Sequence, residues 1–122
     1  MRRRSMAALV LVAVLFVAGC TPDRPPLTFD PATLPAAHVG VAYDARITIG
    51  QNVTPVGAFS ISAGVLPAGL AIESVPDTDN LGHIHGTPTA AGTASFSIYV
   101  WCRGTTVGGQ EATRQYSLEV TP

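Results

Sequence analysis

Apolar and polar residues alternate with period two at several places along this chain. From Tyr43 to Ile49 every second residue is apolar and its neighbours are mostly polar, the pattern of a strand with one buried face. The same alternation runs from Ser95 to Cys102, where four apolar residues fall on one face. It recurs from Arg114 to Val120. These three segments are therefore predicted strands.

The last two of these strands are predicted to pair as an antiparallel hairpin. If the turn is centred on residues 108–109, residues whose numbers sum to about 216 lie opposite each other. That register places Val100 opposite Tyr116 and Ile98 opposite Leu118, so the two apolar sets share one face. This face of the hairpin is expected to belong to the core.

Shorter strands and turns are predicted for the rest of the chain. Segments rich in glycine and proline separate four further strands, expected at 27–29, 59–61, 70–72 and 81–85. No helical periodicity occurs after residue 19. The pattern therefore predicts an all-β fold, an antiparallel β-sandwich of about seven strands.

The N-terminal residues have a different pattern. Three arginines at 2–4 precede an apolar run of eleven residues, 7–17, which is followed by small residues and Cys20. As a helix this run spans about 17 Å, well short of an apolar bilayer core of about 30 Å. A basic N-terminus, a short apolar run and small residues typical of a cleavage site together indicate a secretory signal peptide.

Val17-Ala18-Gly19-Cys20 resembles the lipobox of bacterial lipoproteins. The resemblance implies a signal-peptide helix at 1–19 that is removed, and a Cys20 that carries acyl chains such as palmitate. Residues 20–26 would then be a lipidated, proline-rich tether in the cell envelope, with the membrane as partner. Thr21 follows the cysteine where aspartate often retains a lipoprotein in the inner membrane, which favours the outer membrane in a Gram-negative cell. The alternative is an ordinary secretory signal that leaves Cys20 as a thiol.

Removal of residues 1–19 changes the charge balance. The remaining chain has four arginines, no lysine and eight acidic residues, a formal net charge of −4. Such a surface is a poor partner for nucleic acid, which is excluded. If Cys20 is acylated, Cys102 has no cysteine partner, and its place on the inward face of a strand favours burial over a reactive thiol.

Four motifs occur in order along the mature chain, at 40–43, 64–72, 84–89 and 91–98. They resemble the bacterial immunoglobulin-like, cadherin-like domain of the He-PIG type, whose pattern includes G-x-L-P-x-G-L and G-T-P-x-x-A-G. The resemblance covers 27–121 and implies an immunoglobulin-like sandwich of the kind that serves as a spacer or adhesive module. The glycines and prolines of these motifs are expected to build turns.

The main expectation is that the chain binds no metal or other cofactor. Two groups of side chains are weak candidates for a metal site. His83 and His85 alternate onto one strand face about 7 Å apart, but zinc takes three or four ligands. Asp77 and Asp79, with Glu73 nearby, offer oxygens for calcium, which takes six to eight. The alternatives are exposed strand histidines and an ordinary acidic turn.

Tyr99 and Trp101 are predicted to lie on the outward face of the longest strand. Aromatic side chains there form an amphipathic patch suited to a sugar or to another protein. The alternative is that a neighbouring loop, at 50–58 or 103–112, covers Trp101.

No nucleophile elbow, phosphate loop or metal triad occurs in the sequence, so no catalytic residue is expected. The expected function is that of a lipid-anchored protein of the bacterial cell envelope with a non-catalytic immunoglobulin-like binding or adhesion module. Its expected partner is an envelope protein or a glycan. One alternative is an accessory structural subunit of an envelope complex. Another is a glycan-binding module that uses Tyr99 and Trp101.

Overall fold

A computed structural model describes residues 25–104 and 109–122. Within these residues the chain forms eight strands: β1 (Thr28–Asp30), β2 (Ala37–His38), β3 (Tyr43–Gly50), β4 (Val56–Gly64), β5 (Leu70–Ser74), β6 (Leu81–Gly86), β7 (Gly92–Cys102) and β8 (Glu111–Thr121). The predicted signal-peptide helix, Cys20 and most of the predicted tether lie outside the described residues.

The strands form two four-stranded sheets. Sheet A has the order β1-β3-β6-β5, and sheet B has the order β2-β8-β7-β4. The pairs are antiparallel, except that β2 runs parallel to β8. The predicted all-β sandwich is confirmed, with one strand more than the seven expected and one parallel pair.

A single apolar core lies between the two sheets. Alternate residues of β3, β7 and β8 point into it, as their period-two patterns predict. Burial of an aliphatic or aromatic side chain contributes about 1.5–3 kcal/mol, so these strands supply most of the stabilisation. Its most deeply buried hydrophobic side chains are Ile47, Ile49, Ile84, Phe96, Ile98, Val100 and Leu118.

The predicted register of the β7–β8 hairpin was wrong by four residues. Phe96 lies opposite Tyr116 and Ile98 opposite Arg114, so paired residue numbers sum to 212. The predicted faces are nevertheless correct, because a shift by an even number keeps each side chain on its side of the sheet. Leu118, opposite Ala94, is still fully buried.

The side chain of Gln110 explains this register. Its amide accepts a hydrogen bond from the Val53 backbone N–H (2.8 Å) and donates to the carbonyls of Pro25 and Gln51 (3.0 Å each). A buried amide is costly unless it is hydrogen-bonded, and these three bonds hold the start of β8 in place. The backbone carbonyl of Gln110 also accepts from the Cys102 N–H (2.8 Å). Residue 108 of the predicted turn lies outside the described residues.

Two further departures from the predicted strands have local causes. Strand β2 has two residues, Ala37 and His38, which pair with Val120 and Thr121, and so short a strand has no period to detect. Strand β4 is nine residues long where three were predicted. Register shifts near Gly57 and between Ile61 and Ala63 interrupt its alternation.

Two buried tyrosines attach the segment between β1 and β2 to the sandwich. The Tyr43 hydroxyl donates to the Pro35 carbonyl, and the Tyr116 hydroxyl donates to the Pro31 carbonyl, both at 2.8 Å. Burial disfavours the charged phenolate and raises the pKa of Tyr43 from 10.0 to about 12. Burial also raises the pKa of Tyr116.

These contacts predict the alkaline stability of Tyr43→Phe. Because the pKa of Tyr43 is higher in the folded chain, its stabilising effect is complete below pH 10 and is lost as the pH rises towards about 12. The variant is expected to lose about 1 kcal/mol at neutral pH, since the Pro35 carbonyl loses its donor, and to show a shallower alkaline decline. Urea unfolding at a series of pH values measures both, and equal alkaline slopes would contradict the assignment.

Candidate functional site

The outer face of sheet B is polar and largely exposed. Alternate residues of β7 and β8 point outward there and lie opposite each other in the register. Most of them carry hydroxyl, amide or carboxylate groups. The outward pairs along the hairpin are Thr93–Glu119, Ser95–Ser117, Ser97–Gln115, Tyr99–Thr113 and Trp101–Glu111.

Trp101 is exposed on this face, as the contact-surface interpretation expects. The side chain is 41% exposed, and it packs on one side against the backbone of Gly57 in β4. A Cβ atom at Gly57 would lie only 2.2 Å from the indole Cζ3 atom, so glycine provides the space in which the ring lies. The described residues of the two neighbouring loops, 50–58, 103–104 and 109–112, do not cover Trp101, and residues 105–108 lie outside the described part of the chain.

Tyr99 lies two residues before Trp101 on the same face and is partly buried. Its hydroxyl donates a 2.7 Å hydrogen bond to Oε2 of Glu111. This bond, together with the negative charge of the carboxylate, raises the pKa of Tyr99. The hydrogen bond directs the Tyr99 hydroxyl towards Glu111.

Glu111 was missed in the sequence because the predicted register was wrong. A sum of 216 places residue 115 opposite Trp101, whereas the structure places Glu111 there. The carboxylate adds an acceptor to the aromatic pair. The site thus combines two ring surfaces with a polar group.

Strand β4 is one edge of sheet B, and the two-residue strand β2 is the other. The nine residues of β4, Val56–Gly64, pair with β7 through two register shifts. Bulged edge strands are poor templates for the addition of another strand. This irregularity does not favour the addition of a strand at β4, and the accessory-subunit alternative, which relies on an exposed strand edge, stays a prediction.

The two weak metal candidates, the histidine pair and the acidic turn, lie away from the outer face of sheet B. The structure does not bring these two groups together into one site. His83 and His85 lie on the outer face of β6 in sheet A, with ring centroids 4.5 Å apart. In the described part of the chain, the group of possible metal ligands that forms is Glu73 with these two histidines, without Asp77 or Asp79. Glu73 therefore faces the histidines rather than the acidic turn for which it was considered.

The acidic turn between β5 and β6 has a structural role. The carbonyl of Asp79 accepts from the Val56 N–H at 2.7 Å, and the carbonyl of Asn80 accepts from the Ile49 N–H at 2.9 Å. These bonds connect the turn to both sheets. Asp77 has a φ of 60°, which its short polar side chain tolerates. Calcium binding by Asp77 and Asp79 remains a prediction.

Cys102 is 2% exposed, and burial raises the pKa of its thiol. The predicted buried role is confirmed. Cys20 lies outside the described residues.

A depression of about 150 Å³ lies at one end of the sandwich. It is smaller than the roughly 300–1,000 Å³ of pockets that hold small-molecule ligands. Small and apolar residues form most of its lining: Pro67, Ala68, Ala90, Ala91, Gly92, Thr93, Ala94 and Val120. No titratable side chain lines it, so this depression offers no acid–base chemistry.

No helix in the described residues is long and apolar enough to cross a membrane.

Comparisons with known proteins relate the fold to immunoglobulin-like domains. The SrpA adhesin from Streptococcus sanguinis superimposes with a TM-score of 0.59 at 17% identity, covering 80% of this chain and 58% of that one. The fold is an immunoglobulin-like β-sandwich. No protein-family model matches the chain, and no curated protein matches it.

Two endo-fucoidan hydrolases of glycoside hydrolase family 107 contain a similar sandwich. MfFcnA4 gives a TM-score of 0.60 at 18% identity over 82% of this chain, and MfFcnA9 gives 0.59 at 21% over 80%. The matched parts are only 14% and 17% of those hydrolases, and the chain spans just over half of the adhesin. At such identities the likeness shows the fold alone.

The contact between Trp101 and Gly57 predicts the effect of Gly57→Ala. The added methyl group would overlap the indole, so the ring is expected to swing into solvent at a cost of about 1 kcal/mol or less. Trp101 is the single tryptophan, so its fluorescence emission is expected to shift to longer wavelength.

Gly104→Ala is the matched control, because a Cβ atom at Gly104 meets its nearest neighbour at an ordinary 3.6 Å. Its emission should equal that of the unmodified chain. An unshifted spectrum for Gly57→Ala would show that the ring does not rest on this backbone.

Proposed function

We propose that this chain is a lipid-anchored protein of the bacterial cell envelope that presents a non-catalytic immunoglobulin-like binding or adhesion module. In this proposal residues 1–19 are the signal peptide, and 20–26 form the lipidated cysteine and tether. Residues 27–121 form a domain of the He-PIG type, positioned close to the membrane, which is the outer one in a Gram-negative cell. The lipobox-like sequence before Cys20 and the four ordered motifs support these assignments.

The proposed contact surface is the outer face of sheet B. The observation that carries the proposal is the exposed Trp101 beside Tyr99, on a face of hydroxyl and amide side chains. Tryptophan and tyrosine are enriched where proteins bind partners, because each ring supplies a large contact area at little cost in conformational entropy. Among the similar structures SrpA is an adhesin, which accords with a binding role.

A glycan is the second candidate for the ligand. The apolar face of a sugar ring can stack on the indole of Trp101, and its hydroxyl groups can bond to side chains such as Glu111 and Thr113. Two of the similar structures are glycoside hydrolases, whose sandwich is a small part of a larger chain. This similarity accords with a carbohydrate-related role for the face.

Lipidation predicts the behaviour of Cys20→Ser. In cells supplied with an alkyne-labelled palmitate, the unmodified chain is expected to become labelled and Cys20→Ser to stay unlabelled. Cys20→Ser is also expected to appear in the soluble fraction. A stable anchor requires more than one acyl chain, each buried CH₂ contributing about 0.8 kcal/mol. Cys102→Ala is the matched control and should stay labelled, because that thiol is buried. Label that persists on Cys20→Ser would refute the anchor.

Glycan binding predicts a loss of affinity in Trp101→Ala. Stacking contributes about 0.5–1.5 kcal/mol beyond burial, so affinity for an array of envelope and extracellular polysaccharides should fall by about tenfold. Tyr99→Phe keeps the ring and should bind nearly as well. Thr48→Ala, on the opposite sheet, should bind fully. Equal sugar binding by Trp101→Ala would exclude the glycan and leave a protein partner for this face.

A further inference from the structure

The outer face of sheet A carries a second constellation, the cluster of Glu73, His83 and His85. The Nε2 atoms of His83 and His85 lie 3.0 and 2.8 Å from the same carboxylate oxygen, Oε1 of Glu73. The three ligand atoms all lie within 4.8 Å of one another. Two imidazole nitrogens and one carboxylate oxygen therefore converge on one point at the surface.

The pairing of β5 with β6 creates this convergence. Glu73 of β5 lies directly opposite His83 of β6, and Ala71 lies opposite His85. Because alanine is short, the space above it is open, and the Glu73 side chain reaches His85 along the diagonal of the sheet. The two imidazole rings stack with centroids 4.5 Å apart and an interplanar angle of 28°, so their orientations are correlated.

The distances suit a metal ion with short bonds. Zinc holds imidazole nitrogen and carboxylate oxygen at about 2.0–2.2 Å, so ligand atoms in a tetrahedron stand about 3.4 Å apart. The observed separations of 3.0 and 2.8 Å from Glu73 Oε1 are within about half an ångström of that spacing. Small side-chain rotations would open the group around an ion.

His85 provides a second observation. Its Nε2 atom is shielded from solvent and has no hydrogen-bond partner among the described residues, although it lies 2.8 Å from the carboxylate oxygen. The two atoms lie within ion-pair distance, but their contact does not have the geometry of a hydrogen bond. An imidazole nitrogen that is shielded from water and makes no hydrogen bond can give its lone pair to a cation held beside the carboxylate.

The neighbours on β3 complete the surroundings of the cluster. Oδ1 of Asp44 lies 3.7 Å from Nδ1 of His83, on the side of the ring away from the Nε2 ligand atom. Metal-binding histidines commonly have a carboxylate at this second nitrogen, which orients the ring. Arg46 lies opposite His83 on β3 and contributes one positive charge. Asp44 and Glu73 contribute two negative charges, so the surroundings of the cluster are negative on balance.

We infer that Glu73, His83 and His85 form a binding site for a divalent transition-metal ion of the zinc class. Two imidazoles with one carboxylate select zinc and its first-row neighbours over calcium, which requires six to eight oxygens. Three protein ligands leave a fourth position for water or for a donor atom from a partner. The site lies on sheet A and does not depend on the binding surface proposed for sheet B.

Zinc itself is the probe for this site. Calorimetric titration of the full-length chain in detergent with zinc chloride is expected to show one ion bound per chain. Saturation at about a hundredfold excess of free zinc over Kd should raise the Tm by roughly 10 °C. Glu73→Gln, His83→Gln and His85→Gln should each weaken binding by at least about tenfold. His38→Gln, whose imidazole lies at the edge of sheet B, is the matched control and should bind as the unmodified chain does.

Cobalt substitution in the unmodified chain keeps the test independent of variant folding. Cobalt(II) bound by two imidazoles and a carboxylate gives visible d–d bands without a thiolate charge-transfer band, and this spectrum would support the site. A thiolate band would place the ion on a cysteine and overturn the inference. Zinc binding no tighter than about 1 mM, or binding that His83→Gln leaves unchanged, would overturn it as well.

Discussion

The burial of two apolar sheet faces against each other is the constraint on which the rest of this molecule depends. Neither sheet is stable alone, because its inner face would leave a row of isoleucine, valine and phenylalanine side chains in water. Their packing at about 10 Å sheet separation determines which face of each strand is inside. Gly82 illustrates the closeness of the fit, since a Cβ atom there would come within 2.8 Å of the Phe59 ring.

This constraint places the polar and aromatic side chains that can bind a partner or an ion on the outer faces of the sandwich. Each strand that buries every second residue exposes the residues between, so Tyr99 and Trp101 must point away from Ile98 and Val100. The same alternation on β6 buries Ile84 and turns the two histidines on either side of it towards the outer face. The two outer faces of the sandwich are therefore separate surfaces, one with an aromatic pair and one with a cluster of metal-ligating side chains.

The alternation could be predicted from the sequence because it is a local property. It correctly predicted the inward faces of β3, β7 and β8, the burial of Cys102 and the outward direction of the Trp101 side chain. The hairpin register could not be predicted, because it is held by Gln110, whose bonds to Pro25 and Gln51 span more than fifty residues. The contact of Glu73 with the histidines likewise depends on the pairing of β5 with β6 and on the small size of Ala71, which local patterns do not specify.

The central claim is that the domain binds its partner through the outer face of sheet B. A photo-crosslinking amino acid placed at Thr113, beside Tyr99 and Trp101, tests it in intact cells, with Thr48 on the outer face of sheet A as the matched position. Both threonines are exposed, so either position should tolerate the probe. The proposal predicts a discrete crosslinked species from position 113 and none from position 48. A species from position 48 alone would contradict it.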